Sequence, residues 1–413
     1  MKSLKELYRI GPGPSSSHTL APKKACEEFI AEFGLCERYV IDLYGSLSLT
    51  GRGHFTDQII ENTLSPADVV INFLDQWEEE RPNGFYLKGY RGQELVGAWT
   101  VFSLGGGAIE VKEKPEMKHH EIYSEDSLDK IKAMCKQRQY GLPDYVLQNE
   151  HNIEPYLNEV LQVMLQSVKR GISTSGELPG SLHIERVAKS LYLQASTLSV
   201  GIEKDRLLLM SYAYAASEEN ASRGEVATAP TLGSCGVMAA LMYYFYNDVG
   251  VSKDKLIKSL MVAGVFGNLI KQNATISGAL GGCQAEVGTA CSMASAACAY
   301  LEGLNMKQIE YAAEIGMEHH LGLTCDPVGG YVIIPCIERN AIAVLRALDA
   351  CLLSKYMSKL KGNRISFDMV VRTMDYTGKK MTPELRETSL GGLAKEYSSC
   401  HDEKEKSFDR EKG

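Results

Sequence analysis

Long apolar segments rich in alanine, leucine and methionine extend from Pro155 to about residue 360, and they constrain the fold more than any other feature. The apolar residues of the first segment recur at helical spacing, and Gly171 stands where that helix would end. Strand-like patterns are few, whereas small residues are frequent and let helices approach closely. The stretch therefore predicts a helical domain of about ten helices. The spaced apolar residues are Leu157, Val160, Leu161, Met164, Leu165 and Val168.

The first 113 residues show a different pattern, in which short strand-like runs alternate with polar turns. Residues 21–33 predict a helix that ends before Gly34, and residues 67–79 predict a second helix. Three other runs alternate or are rich in β-branched and aromatic residues, which favours strands. These runs are residues 39–49, 84–90 and 94–103.

The two patterns together predict an α+β fold. A small N-terminal α/β domain (residues 1–113) precedes a larger all-helical domain (residues 152–400). Residues 114–151 are charged and irregular at first and are interpreted as a linker. The charge run of residues 401–413 is predicted to be a disordered tail.

Composition and charge exclude several classes of function. The 413 residues carry a formal net charge of −8 and no basic stripe, which argues against a nucleic-acid partner. The N-terminus lacks the apolar segment of a signal peptide, and the longest apolar runs are about half the ~20 residues of a membrane span. We therefore expect a cytoplasmic protein without a membrane partner. Its eleven cysteines should be reduced, so a group of them would indicate a metal or catalysis.

Two polar loops in the first domain carry histidines. In GPGPSSSHT, from Gly11, two Gly-Pro pairs exclude regular structure, and Ser17, His18 and Thr19 come just before a predicted helix. A helix N-terminus attracts carboxylates and phosphates, which makes this loop a candidate binding site. The second loop, GSLSLTGRGHFTD, carries His54.

Three cysteines stand where glycine or proline bends the chain. Cys283 follows Gly-Gly, Cys325 precedes Asp-Pro, and Cys336 follows Pro335. Such settings let a thiolate reach a ligand the size of a metal cluster. The long gaps match neither zinc fingers nor ferredoxins, so spacing alone leaves the metal open. Four other cysteines lie in helical runs and are interpreted as packing residues. They are Cys26, Cys291, Cys298 and Cys351.

Longer motifs follow one another along residues 1–400. They are GPGPSSSHT, GSLSLTGRGH, SEENASRGEVATAPT, GGCQAEVGTACSMA, MEHHLGLTCDPV, IPCIERNAI and ETSLGGLA. Together they resemble the bacterial iron–sulfur L-serine dehydratases (L-serine ammonia-lyases) in a single-chain form. The resemblance implies a carbon–oxygen lyase of amino-acid catabolism and gluconeogenesis, which converts L-serine to pyruvate and ammonia without pyridoxal phosphate. It also implies a [4Fe–4S] cluster in the helical domain, ligated by Cys283, Cys325 and Cys336.

The implied reaction assigns roles to further residues. L-Serine loses its Cα proton and its β-hydroxyl, and an open iron would act on the hydroxyl as a Lewis acid. A base must then reach the Cα proton. The candidate bases are His18, His54 and His319, in this order. The residues predicted to bind the substrate carboxylate are Ser16, Ser17, Thr19, Asn273 and Arg339.

The resemblance also implies a tail cysteine that occupies the open iron until substrate displaces it. Cys400 matches that residue, because it follows ETSLGGLA after a short interval. The chain departs from the family pattern in that thirteen residues continue beyond it. Cys400 is therefore the predicted fourth cluster ligand, with an extension that must leave the site.

Other functions stay open at this point. A related lyase could use the same cluster on L-cysteine or L-threonine. A pyridoxal-phosphate dehydratase could use the glycines 105–107 to hold a phosphate, although no lysine stands in a convincing Schiff-base setting. A non-catalytic amino-acid-binding module would need the cysteines only for structure. The small-residue helices are also compatible with a homodimer.

Overall fold

The computed structural model describes residues 1–115 and 121–400. Its N-terminal region contains a five-stranded sheet in the order β3-β2-β4-β5-β6. β2 and β3 are parallel, and the other neighbouring strands are antiparallel. The strands are β2 (Arg38–Tyr44), β3 (Asp68–Phe73), β4 (Gly84–Arg91), β5 (Glu94–Ser103) and β6 (Ile109–Val111).

Three helices accompany this sheet, namely α1 (Leu20–Phe33), the short α2 (Ser46–Leu49) and α3 (Thr56–Leu64). Aromatic side chains join α1 to the sheet. Phe29 packs edge-on against Trp99 at 5.0 Å and against Tyr39 at 6.0 Å between ring centroids. Large aromatic side chains contribute strongly to a small core, so this cluster holds α1 on the sheet.

The predicted helix at residues 67–79 is wrong, because residues 68–73 form β3. β3 pairs in parallel with β2 from Asp68 opposite Arg38 to Phe73 opposite Leu43. The sequence DVVINF contains three β-branched residues, which pack well on a pleated surface. The sheet edge offers backbone partners to this segment, and that tertiary pairing outweighs its local helical pattern.

The second region is helical, and the α+β fold predicted above is confirmed. Side-chain caps define several helix starts. Ser127, Ser252 and Ser366 each accept a backbone N–H near the start of their helices, and Asn305 forms a capping box with Gln308. None of the helices in residues 1–115 and 121–400 is long and apolar enough to cross a membrane. The helices are α4 (Leu128–Arg138), α5 (Leu142–Asn149), α6 (Ile153–Gly171), α7 (Ala188–Thr197), α8 (Ile202–Ala221), α9 (Cys235–Asn247), α10 (Lys253–Asn273), α11 (Gly278–Gly281), α12 (Thr289–Leu301), α13 (Met306–Glu318), α14 (Cys336–Met357) and α15 (Phe367–Lys380).

Helix α12 lies at the centre of this region. Its sequence, TACSMASAACAYL, is made largely of small residues, and all but Tyr300 are buried. It packs against α9, α10, α13 and α14. Small side chains allow this close approach on all sides, which explains the alanine and serine content of the segment.

The two regions are joined by backbone hydrogen bonds between strands and by a common hydrophobic core. Met1, Leu4, Leu7 and Tyr8 are buried in the helical core, and α4 and α5 contribute buried side chains to the same core. A short strand within the helical region, β7 (Glu225–Ala227), pairs with β1 (Ile10–Pro12). The domain boundaries at 113 and 152 stay a prediction, and the predicted disordered tail, residues 401–413, lies outside the described residues.

Candidate active site

Three cysteines reach one small cavity from three separate segments. Cys283 precedes a π-helical turn (Gln284–Gly288) that leads into α12, Cys325 lies in the loop after α13, and Cys336 is the first residue of α14. π-Helical turns are frequent at functional sites because they redirect side chains within a helix. The cavity has a volume of about 20 Å³. It is lined by Ser15, His54, Gly233, Cys283, Glu286, Val287, Cys325, Pro327, Val332, Cys336 and Glu387.

The thiol groups lie in direct contact with acidic and basic partners. The Sγ atoms of Cys283 and Cys325 and a carboxylate oxygen of Glu286 lie within 4.8 Å of one another. The Cys325 thiol and the Arg339 guanidinium lower the pKa of Cys283 to about 7. The thiol of Cys283 raises the pKa of Cys325, and burial raises that of Cys336. Cys283 is thus more readily ionised near neutral pH than an ordinary cysteine.

Arg339 lies beside Cys283 and is held there by two neighbouring residues. Its Nη1 donates to Thr324 O at 2.6 Å, and its Nη2 donates to Asp326 Oδ1 at 3.2 Å. The guanidinium also contacts the Cys283 thiol, and this contact raises the pKa of Arg339. These contacts position Arg339 beside a cysteine. Its predicted role in binding the substrate carboxylate stays a prediction.

A C-terminal strap, defined as residues 385–393, covers the Cys325 loop. Cys325 N donates to Leu385 O at 2.8 Å, and Glu387 N donates to Cys325 O at 2.7 Å. Ser389 Oγ donates to Pro327 O at 2.6 Å. Glu387 and Ser389 have φ values of +58° and +57°, a conformation that is uncommon for residues other than glycine. Strain of this kind persists only where surrounding contacts enforce it, and here it places Glu387 at the cavity.

The N-terminal polar loop reaches the same place from the other region. Gly13 N donates to Gly224 O at 3.1 Å, and Asn220 Nδ2 donates to Pro14 O at 2.7 Å. A Cβ atom on Gly13 would lie 1.9 Å from the Asn220 carbonyl oxygen, so only glycine fits there. These contacts fix the loop on the motif SEENASRGEVA, and Ser15 lines the cavity.

The predicted carboxylate site at the start of α1 is only partly free. Thr19 Oγ1 donates to Pro12 O at 3.0 Å and to Ser15 O at 2.8 Å. The amides of His18 and Thr19 also donate to Ser15 O, so helical hydrogen bonding begins at Ser15. Ser16 and Ser17 are buried, and Ser17 Oγ contacts His18 Nδ1 at 2.9 Å.

His18 and His54 are buried and stacked, with ring centroids 4.1 Å apart. His18 Nε2 lies 3.0 Å from Ser46 O, and His54 Nδ1 lies 2.8 Å from Thr50 O. A carbonyl oxygen only accepts, so each of these nitrogens carries the proton in the neutral ring. His54 Nε2 is then an unprotonated nitrogen, and no hydrogen-bond partner for it is found in the described residues. Burial lowers the pKa of His54 to about 4 and lowers that of His18, so both rings are neutral at pH 7.

Two carboxylates at the cavity, the buried Glu387 and the half-buried Glu286, are missed by the sequence interpretation. Burial raises the pKa of Glu387 to about 7 and raises the pKa of Glu286. Glu387 Oε1 lies 3.5 Å from Ser17 Oγ and 3.8 Å from His18 Nδ1, whereas Oε2 has no partner in the described part of the chain. The only sequence signal for either residue is its place inside a quoted motif, GGCQAEVG or ETSLGGLA.

Three predicted site residues are not brought to the cavity. Asn273 is exposed at the end of α10 and donates to Asp126 O. His319 ends α13 with 43% of its side chain exposed, and its Nδ1 contacts Ile315 O at 2.9 Å. Cys400 is exposed at the end of a helix formed by residues 392–400. Closeness to a cysteine in sequence did not give closeness in space, because helix phase and chain direction turn these side chains elsewhere.

The glycines 105–107 serve close packing between the two regions. A Cβ atom on Gly105 would lie 2.9 Å from the Ser277 Cβ, and one on Gly107 would lie 2.8 Å from the Leu20 Cβ. All three glycines have positive φ values. The turn therefore seats the first region against the segment that precedes α11, which accounts for its glycines without a bound phosphate.

The donor set at the cavity fits an iron–sulfur cluster. Three free cysteines converge, and the pKa of Cys283 is lowered toward the thiolate, the form that binds metal. Glycine keeps space beside them, since a Cβ on Gly278 would lie 2.7 Å from Glu286 Oε2 and 3.4 Å from Cys325 Sγ. No fourth cysteine lies among the residues that line the cavity. A cluster held by these residues would keep one iron open to another ligand.

A cavity that joins three cysteines, His54 and two carboxylates where an α/β region meets a helical region is typical of an enzyme site that holds a metal or uses a thiol. Residues 3–70 match the serine dehydratase beta chain family, and residues 91–394 match the serine dehydratase alpha chain family. The chain therefore belongs to the serine dehydratase family of lyases, with both regions in one chain. The predicted family is confirmed.

Curated relatives agree with this assignment. L-serine dehydratase 1 of Escherichia coli (strain K12) is 40% identical, over 95% of this chain and 99% of that protein. L-serine dehydratase of Haemophilus influenzae is 37% identical over 95% and 99%, and that of Helicobacter pylori (strain 26695) is 34% identical over 95% and 98%. The alignment with the first spans 451 positions, more than the 413 residues of this chain, so that relative carries segments that this chain lacks.

The buried neutral state of His54 predicts a pH dependence of stability. Its pKa is about 4 in the folded protein against an ordinary 6.5, so between these values only the unfolded chain binds the proton. The unfolding free energy should therefore fall as the pH drops from about 6.5 to about 4, by ~1.4 kcal/mol per pH unit for this group. His18 acts in the same direction, and Glu387, with its raised pKa, acts in the opposite one.

Urea denaturation of the wild type and His54→Gln isolates the contribution of His54. The stability difference between the two proteins should shrink as the pH is lowered from about 7 to about 5. A difference that stays constant over this interval would contradict a buried neutral His54.

The position of Cys400 predicts a small effect of its replacement. At 1.5 Å per helical residue, Cys400 lies roughly 10 Å along the helix from Leu393, whose N–H is bound by Asp326. Cys400→Ser should therefore retain iron content and activity within about twofold, as surface substitutions usually do. A large loss of either would instead support Cys400 as a fourth ligand, reached by rearrangement of residues 392–400.

Proposed function

We propose that this protein deaminates L-serine to pyruvate and ammonia with a [4Fe–4S] cluster held by Cys283, Cys325 and Cys336. The observation that carries the proposal is the convergence of these three cysteines with an unprotonated His54 nitrogen in one buried cavity. The curated relatives are named L-serine dehydratases, which supports L-serine as the substrate.

The chemistry requires one proton transfer and one bond cleavage. A base removes the Cα proton, the electron pair forms the Cα–Cβ double bond, and the β-hydroxyl leaves as hydroxide. The aminoacrylate product tautomerises to an imine, which water hydrolyses to pyruvate and ammonia. When bound, the cluster would supply a Lewis acid that makes hydroxide a better leaving group.

His54 is the base in this proposal. Its Nδ1–H is held by Thr50 O, so the free Nε2 is the atom that accepts the Cα proton. His18 stacks on the ring and fixes its plane, while its own Nε2–H is engaged by Ser46 O. A general base has to meet its proton in the right orientation, and these contacts hold the imidazole before substrate arrives. The order of the predicted bases thus becomes His54 before His18, with His319 outside the cavity.

The remaining residues orient the substrate and exclude water. Ser15, Ser16 and Ser17 lie in the turn that precedes the N-terminus of α1, which favours the substrate carboxylate there. The C-terminal strap closes the Cys325 loop and shields the cavity from solvent. Protection from water also limits hydrolysis of the enamine within the site.

The proposal is tested by purifying the protein without oxygen and measuring iron, sulfide and pyruvate release from L-serine. We expect about four iron and four sulfide per chain and an activity that exposure to air abolishes. L-Threonine and L-cysteine assayed in parallel decide the substrate preference. Activity that is indifferent to air and to iron chelation would overturn the cluster mechanism. A cytoplasmic location, a homodimer and a role in gluconeogenesis stay predictions.

A further inference from the structure

The cavity carries an excess of acidic groups. Glu387 and Asp326 are buried within or beside it, and Glu286 is a half-buried residue of its wall. Arg339 is a cation next to these acidic side chains, and it already contacts both Cys283 and Asp326. A buried carboxylate without a partner is costly, so the arrangement calls for a cationic ligand.

Glu387 is a carboxylate with one oxygen, Oε2, that has no hydrogen-bond partner among the described residues. Its side chain is 4% exposed and lines the cavity. Its other oxygen faces Ser17 Oγ at 3.5 Å and His18 Nδ1 at 3.8 Å. Glu286 differs, because it lies against the Cys325 thiol at 3.9 Å and accepts from the Thr231 hydroxyl.

The backbone around Glu387 holds it in this place. Its φ of +58° is maintained by the bond from its N–H to Cys325 O. The same strap is bound at Pro327 and Asp326 through Ser389 and Leu393. Glu387 is therefore fixed between the Cys325 loop and the N-terminal polar loop, and it contacts both.

We propose that Glu387 binds the α-ammonium group of the substrate and so restricts the site to α-amino acids. This inference rests on the proposed function, because it assigns one end of the same substrate. An ammonium group donates three hydrogen bonds and carries the charge that the cavity lacks. With the carboxylate of the substrate at Ser15–Ser17 and the ammonium at Glu387, the Cα–H bond is oriented by two charged contacts.

The test compares Glu387→Gln with Glu384→Gln, a matched change at an exposed glutamate of the neighbouring segment. L-Glycerate, in which a hydroxyl replaces the ammonium group, serves as a competing ligand. For Glu387→Gln we expect the KM for L-serine to rise about 10- to 100-fold while the inhibition constant of L-glycerate changes less than about threefold. Iron content should match that of the wild type, and Glu384→Gln should change neither constant.

The outcomes separate this inference from the proposed function. If the wild type fails to turn over L-serine, the proposed function fails. If the wild type is active but Glu387→Gln keeps both constants, or weakens L-serine and L-glycerate equally, the ammonium role of Glu387 is overturned alone. A fall in kcat at unchanged KM would also overturn it, since Glu387 would then act in the chemistry.

A measurement without turnover keeps the inference testable if the variant does not fold. Calorimetric titration of the wild-type holoenzyme compares L-alanine with L-lactate, which differ only in an ammonium or a hydroxyl group on Cα and lack the leaving hydroxyl of L-serine. The inference expects L-alanine to bind more tightly than L-lactate. Equal or tighter binding of L-lactate would overturn it.

Discussion

Cys325→Ser is expected to abolish pyruvate formation and to remove the visible absorption, iron and sulfide of the anaerobically purified protein. Cys325 lies close to both the Cys283 thiol and Glu286, so its replacement removes one of the three proposed cluster ligands. A Lewis acid at the leaving group contributes several kcal/mol, which corresponds to a loss of activity of at least ~10³-fold. Cys283→Ser and Cys336→Ser should behave in the same way.

Cys291→Ser is the matched control. Cys291 is also buried, but it lies in α12 and its Sγ donates to Ala343 O at 3.4 Å, outside the cavity. This variant should keep its iron and its activity, although its thermal stability will fall because a hydroxyl replaces a thiol in the core. Full iron content and activity in Cys325→Ser would refute the ligand assignment.

The second large effect is expected for His54→Gln, whose kcat should fall by roughly 10²- to 10⁴-fold, the usual contribution of a general base. The KM for L-serine and the iron content should change little, because His54 is neither a proposed cluster ligand nor part of the proposed carboxylate site. The physical reason is the tautomer that Thr50 O enforces, which leaves His54 Nε2 free at the cavity. Steady-state kinetics on the reconstituted enzyme and iron analysis of the same samples measure both quantities.

His319→Gln is the control, because His319 is a predicted base that the structure places outside the cavity, with its ring bound to Ile315 O. It should retain wild-type kcat. If His54→Gln stays active while His18→Gln or His319→Gln loses activity, the assignment of the base to His54 is incorrect.

The sequence allowed much of the architecture to be predicted. Helical spacing and small residues from Pro155 onward predicted the helical region, and residues 94–103 form a strand with those bounds. The predicted helix at residues 67–79 was wrong, because strand pairing with β2 is a long-range interaction that local propensity does not contain. The helices α4 and α5 within residues 114–151 also pack into the helical core, through contacts that a charged local composition did not reveal.

Within the candidate site, the residues that bend the chain were the most informative. Glycine and proline beside Cys283, Cys325 and Cys336 singled out three cysteines, and all three line one cavity. The same kind of local signal drew attention to the loops that carry His18 and His54. Asn273 and His319 were chosen for their closeness to these motifs in sequence, and the direction of their helices takes them elsewhere.

By itself, the sequence determined the family, the two kinds of region and the three cysteines, because local backbone chemistry and long motifs are properties of neighbouring residues. Only the tertiary structure decided that Glu387 joins the cavity, that Arg339 serves Cys283, and that His54 has the free nitrogen. These outcomes depend on burial and on contacts between separate segments, of which the contact of Glu387 with Ser17 spans 370 residues. A glutamate in an exposed polar turn and a glutamate in a buried cavity look alike in the sequence. The packing around each side chain decides which chemistry it can perform.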